Sequence, residues 1–321
     1  MSGGATDLPP CVPSASTRSA AGRVRQQTLG GAVCFEGWGL HTGRPGRVRV
    51  LPAPAGAGLT FHRIDQGEAP PIPAHVSAVV ETNRRVVLGR SGVRIESVEH
   101  LLAACVIAGL DNARIEVEGS EIPSGDGSAI GFIRHIEKAG LIPQRAAAVC
   151  FSPISPIAVR DGPRGARLIP HPQTCVSARI VFSHPSIGEQ SRVSPIERWK
   201  VEIAPARTFV HFGEIAKLRR QGLALGGGRD QVLVLGDGGW MNPELRRFED
   251  EPVRHKILDA LGDLALIGGR FAGKLELNAS GHDLHVRLAR LIVAAMRGMS
   301  RATAVEFPGE EFRSVSRKRL S

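Results

Sequence analysis

An order of elements that occurs twice constrains this chain more than any other feature. β-patterned segments come first, helix-patterned segments follow, and the same order then begins again. In the first round, residues 31–35 read as a strand leading to the turn-rich Gly37-Trp38-Gly39-Leu40-His41-Thr42-Gly43, and Arg47-Val48-Arg49-Val50 alternates polar with apolar residues as a half-buried strand does. A helix follows through Glu99, His100 and Leu101 to about Ala108, with Ser97 as its candidate cap and Gly109 as its stop. Ala113-Arg114-Ile115-Glu116-Val117 alternates as a strand, and residues 130–138 fit a second helix ended by Gly140. In the second round, strands are expected at 157–159, 176–182 and 199–203, then a helix at 213–220, the Gly226-Gly227-Gly228 loop and a strand at 231–235. Residues 248–267 read as helix, 274–277 as a short strand and 284–299 as a closing amphipathic helix. Strands then helices, twice, point to an α+β class with two layers per unit rather than a parallel βαβ sheet.

A length of 321 residues suits about two domains of the usual size. Small residues and prolines over 146–156 mark the candidate boundary. The expected organisation is a disordered leader over 1–24, a first α+β domain over 25–146, a second over 147–303, and a basic tail over 304–321. No run of about 18 apolar residues occurs, so no membrane-spanning helix is expected. The first two dozen residues lack the continuous apolar stretch of a secretory signal. Five scattered cysteines, never in a C-x-x-C pair, speak against a disulfide framework or a thiolate metal site, and reduced thiols in the cytoplasm are expected. The net charge of +10 suits an anionic partner: nucleic acid, membrane phosphate or a nucleotide diphosphate. With 4% aromatic residues and no Tyr, stacking platforms for nucleic-acid bases are poorly supplied, so nucleic acid is not the expected partner.

The segment Arg254-His255-Lys256-Ile257-Leu258-Asp259-Ala260-Leu261-Gly262-Asp263 places His255, Asp259 and Asp263 four residues apart, on one helical face, with the apolar residues mostly off it. On spacing alone this fits a solvated helix as well as a cleft. Ser97-Val98-Glu99-His100 offers a histidine able to bind metal and an adjacent carboxylate about 100° round the helix, able to reach a metal-activated water; a first-turn Glu favoured by the helix dipole reads equally well. Together His100, His255 and Asp259 make a two-histidine, one-carboxylate set, the catalytic kind of zinc site with its fourth position open. His282, in Ser280-Gly281-His282 after a strand end, could serve as an acid to a departing amine or equally be a surface residue. Gly226-Gly227-Gly228 lacks the Gly-Lys-Ser/Thr ending of a nucleoside-triphosphate loop.

From about Arg25 to about Met299 the sequence resembles the UDP-3-O-acyl-N-acetylglucosamine deacetylase family. The resemblance rests on Gly39-Leu40-His41-Thr42-Gly43, Ser97-Val98-Glu99-His100-Leu101, Glu121-Ile122-Pro123 with Asp126-Gly127-Ser128-Ala129, and Ala206-Arg207-Thr208-Phe209. It continues in Phe248-Glu249-Asp250-Glu251 running into His255 and Asp259, and in Ser280-Gly281-His282. It implies two similar two-layer α/β sandwiches, each with a small insert and the active site at their interface. It also implies hydrolysis of the acetamide of a UDP-linked acylated amino sugar, the committed step of lipid A synthesis.

In that family pattern His100, His255 and Asp259 hold zinc, Glu99 is the general base and Thr208 helps hold the oxyanion. His282 is the acid, oriented by Asp263, and Lys256 contacts substrate oxygens. Phe209 lies against the sugar, Phe182 stacks on uracil, and residues 212–234 form the acyl-chain insert with Ile215, Leu223, Ala224 and Val232 in its walls. A monomer is expected, with transient contact at the inner-membrane surface. The chain departs from the family pattern at Val210 and His211, at Arg84 and Arg85 by the mouth of the site, and at Ala279, where a basic residue is common. These departures leave open a divergent paralogue that deacetylates another acylated or nucleotide-linked amino sugar.

Overall fold

The structure is a computed structural model that describes residues 24–228 and 230–299. The expected leader, save its last residue, the basic tail and Cys11 lie outside the described residues. Alternation builds the first sheet. Val48 and Val50 face Val117 and Ile115 across the strand pair on the buried side, and Arg49 meets Glu116 on the other. Its five strands lie in the spatial order Val33–Trp38, Pro45–Pro52, Ala113–Glu118, Leu59–Arg63, Ile72–Pro73. The second sheet runs Ile157–Asp161, Arg164–Ile169, Lys274–Asn278, Cys175–Val181, Glu189–Pro195. The two orders are the same: the strand last in sequence enters between the second and third, antiparallel to one and parallel to the other. Each sheet is therefore mixed, with one parallel pair inside a mainly antiparallel arrangement.

Among the described residues six α-helices follow in sequence: α1 (Glu99–Ala108), α2 (Ile130–Ala139), α3 (Trp199–Glu202), α4 (Phe212–Arg220), α5 (Glu251–Leu264) and α6 (His282–Met299). α2 packs on strand Val33–Trp38, α6 on Ile157–Asp161 and Arg164–Ile169, and α5 on Cys175–Val181 and Glu189–Pro195. α1 lies against both α2 and α5, so the two sheet-and-helix halves meet through α1 and α5. At the seam Gly262 of α5 abuts Glu99 of α1: an added Cβ would overlap the Glu99 carbonyl oxygen and lie 2.7 Å from its carbonyl carbon. A smaller three-stranded sheet precedes each seam helix. Val79–Glu81, Val87–Arg90 and Val93–Glu96 come before α1, while Phe209–His211, Leu233–Gly236 and Gly239–Trp240, with α4 among them, come before α5.

Two local expectations are corrected. Residues 199–203 form helix rather than strand: the W-K-V-E-I alternation mimics a strand, but only Trp199 and Ile203, four apart, are buried, and Val201 is exposed. Ser97 does not cap α1; it sits at φ 58° and its hydroxyl donates to Glu121, leaving Val98 at the cap position. α5 is buried except at Lys256, sandwiched between α1, α6 and the second sheet, and its His255 and Asp259 face a cleft between the helices rather than open solvent.

Candidate active site

Glu99 and His100 open α1, and their placement starts with Glu121. This buried carboxylate accepts the backbone N–H groups of His41 (2.9 Å) and Thr42 (2.7 Å) and the hydroxyls of Thr42 and Ser97 (both 2.8 Å). One side chain thus ties the Gly39–Gly43 turn to the entry of α1. Gly39 leaves room for it, since an added Cβ would lie 2.8 Å from the Glu121 carboxyl carbon. Glu99 itself accepts from the N–H of Val86 at 3.0 Å. In the other half, buried Glu251 accepts the N–H groups of Arg207 (2.9 Å), Arg247 (2.6 Å) and Phe248 (3.2 Å), fixing the loop that presents Thr208 and Phe209.

Across the seam, Asp259 Oδ1 lies 3.2 Å from His255 Nε2 and 3.6 Å from His100 Nε2, and the two imidazoles stand edge to face at 5.0 Å. His255 Nδ1 is 3.1 Å from the Ala206 carbonyl, which can only accept, so the hydrogen is on Nδ1 and Nε2 is left as a ligand. Donors at about 2.0–2.1 Å from a tetrahedral zinc stand roughly 3.4 Å apart, so these separations fit a zinc ion. Burial disfavours charge on Asp259, but Lys256, whose Nζ donates to Oδ2 at 2.8 Å, and His255 hold its carboxyl well below the usual carboxylate range.

Burial pushes the Glu99 carboxyl up, against the opposing pull of His282 and His100. His282 goes the other way from what burial dictates: the Asp263 carboxylate at 2.8 Å, with Asp259 and Glu99 beyond it, outweighs desolvation and raises it to about 10. His41, beside them, is lowered to about 4 by burial, with Arg85, His100 and His282 adding to the effect against Glu121. The same cluster thus moves two imidazoles in opposite directions, His282 up and His41 down.

A cavity of about 750 Å³ joins these groups to an apolar passage. Glu99, His100, His255, Lys256, Asp259, His282 and Thr208 line it, and Phe209, Ile215, Ala224 and Val232 continue its wall. Leu223 is buried but outside the lining, and Asp263 sits behind His282. Phe182 is half exposed, outside the lining, with its ring edge-on to Phe209 at 5.6 Å. Lys256 Nζ lies 5.8 Å from the Phe209 ring centre.

The family model described as LpxC, UDP-3-O-acyl N-acetylglycosamine deacetylase, matches residues 26–294. The chain belongs to this family. A UDP-3-O-acyl-N-acetylglucosamine deacetylase of Citrifermentans bemidjiense is 39% identical over 291 residues, 90% of this chain and 94% of that protein. Proteins of the same name from Trichormus variabilis and Nautilia profundicola are 41% and 40% identical, each over 84% of this chain and over 99% and 92% of their own lengths.

As an LpxC-family chain, it shows what its departures do. His211 is outside the cavity lining; its Nδ1 accepts the Gly213 N–H at 3.2 Å and so caps α4, and its Nε2 lies 3.5 Å from Asp237. Arg85 is buried between Glu81 and Glu96, whereas Arg84, at φ 63°, reaches Glu214 of α4 at 3.0 Å. Beside Ala279 lies another cation: Arg164 Nε donates to the Ala279 carbonyl at 3.1 Å, and Arg164 lines the cavity. Sequence reading missed the anchoring roles of Glu121 and Glu251, the close approach at Gly262, and His285. A signal for the last existed, because His282 and His285 are three apart and share a helix face.

Proposed function

We propose that the chain is a zinc-dependent hydrolase of the acetamide of UDP-3-O-acyl-N-acetylglucosamine, releasing acetate at the committed step of lipid A synthesis. The observation that carries the reading is the convergence, in one cavity, of Glu99 with three donors spaced for zinc, drawn from both sides of the seam. Zinc held by His100, His255 and Asp259 would polarise the acetamide carbonyl and acidify the attacking water. Glu99 takes the proton of that water as its oxygen bonds to the carbonyl carbon. The Thr208 hydroxyl donates to the oxyanion that develops. His282 gives its proton to the nitrogen as the C–N bond breaks, so acetate leaves and a free amine stays on the sugar.

Lys256 and Arg164 supply cations for substrate oxygens, Phe209 packs on the sugar, and Phe182 stacks on uracil at the rim. Ile215, Ala224 and Val232 receive the acyl chain, with Leu223 supporting them from behind. Residues 25–146 and 147–303 serve as the two sandwich domains, the three-stranded sheets as their inserts, and the substrate lies between them. The chain acts as a cytoplasmic monomer in transient contact with the inner-membrane surface. The Arg84–Glu214 pair beside the cavity favours a second reading, a paralogue acting on another acylated or nucleotide-linked amino sugar. Zinc-loaded protein given UDP-3-O-acyl-N-acetylglucosamine should release acetate and stop on chelation. Chelator-resistant release would sink the metal reading. Turnover of acyl-N-acetylglucosamine without competition by UDP would favour the paralogue.

A further inference from the structure

We infer that His285 is a positioning residue for His282, acting through Asp263 and held in register by Ser280; this rests on the acid role proposed for His282. His285 is fully buried and outside the cavity lining, so it does not touch the substrate. Its Nδ1 and that of His282 both meet one oxygen, Asp263 Oδ2, each at 2.8 Å. The two rings stand 6.4 Å apart and 84° to each other, so they reach that oxygen from different directions. An ionised carboxylate oxygen only accepts, and it has two lone-pair directions, so each Nδ1 carries a hydrogen.

On His285 this leaves Nε2 to accept the Ser280 hydroxyl, whose oxygen is 2.8 Å away. On His282 it leaves Nε2 as the proton-bearing atom toward the cavity. The other oxygen, Asp263 Oδ1, is buried with no hydrogen-bond partner among the described residues. Nothing on that side fixes the carboxylate torsion. His285 therefore supplies the second point of attachment that stops the carboxylate turning, and with it the His282 ring. The helix geometry makes this economical, since residues three apart in the first turn of α6 present their rings to the same side of α5.

The test compares His285→Leu, which keeps bulk but loses the donor, with His285→Asn, whose amide nitrogen can replace Nδ1–H. The loss of one hydrogen bond to a charged group predicts that His285→Leu lowers kcat about tenfold while KM changes less than about twofold. His285→Asn should recover most of kcat, and zinc content should stay parental in both. Parental kcat in His285→Leu, or equal loss in both variants, would overturn the proposal. Should His285→Leu not fold, the ¹⁵N-histidine spectrum of the parent chain still decides: a hydrogen on Nδ1 and a bare Nε2 at His285 are expected, and the opposite tautomer overturns it. Failure of the underlying reading is distinct, because it would show as a parent chain without deacetylation whatever the state of His285.

Discussion

Adjacent residues on α1 and a pair on α5 are assigned different tasks and should fail differently. In the proposed roles Glu99 acts on the reacting water rather than holding the metal, so Glu99→Ala should keep zinc and lose roughly 10²- to 10⁴-fold in rate, the usual worth of acid–base catalysis. His255→Ala removes one of the three proposed ligands, so zinc and rate should fall together. Zinc stoichiometry and turnover measured side by side check this, and zinc loss in Glu99→Ala with retention in His255→Ala would reverse the two roles. The pH dependence follows from the two shifts. Glu99 must be ionised and its carboxyl is raised, so the acidic limb should lie above the ordinary carboxylate range. His282 must be protonated and is raised to about 10, so the alkaline limb should lie above the ordinary histidine value. A cation in the donor set pulls both limbs down without changing their order. A rate that climbs with pH and never falls would remove His282 from the acid role.

At the scale of elements, the seam between α1 and α5 is the most demanding contact. Gly262→Ala must push α5 off the Glu99 carbonyl, and overpacking of this kind costs about 1–3 kcal/mol. Denaturant unfolding should show the loss and kcat should fall with it; an unchanged midpoint would mean the two helices have room to part. The helix carrying His255, Asp259 and Asp263 was legible because four-residue spacing is a local property. So were α2, whose burial follows its apolar periodicity, and the strands whose alternation matches their exposure. The strand expected at 199–203 was not legible, since which of Trp199, Val201 and Ile203 is buried depends on neighbours distant in sequence. The same holds for Glu121 and Glu251. A carboxylate that satisfies backbone groups about 80 residues away, as Glu121 does at His41, leaves no periodic trace in the sequence.

For the whole molecule, the net charge of +10 and the cavity cations Arg164 and Lys256 predict that KM for the nucleotide-linked substrate rises with salt, as counter-ions screen the diphosphate. A flat KM across a salt series would take the diphosphate out of the binding energy. The seam has a further consequence. Of the proposed ligands, His100 comes from one sheet-and-helix half and His255 and Asp259 from the other. An ion bound by that set would behave as a rivet: its binding free energy would be gained only by the docked arrangement, so ion concentration and the tightness of docking would become linked variables. Two copies of one strand plan each bring part of the proposed ligand set, so an ion held there would report on their assembly.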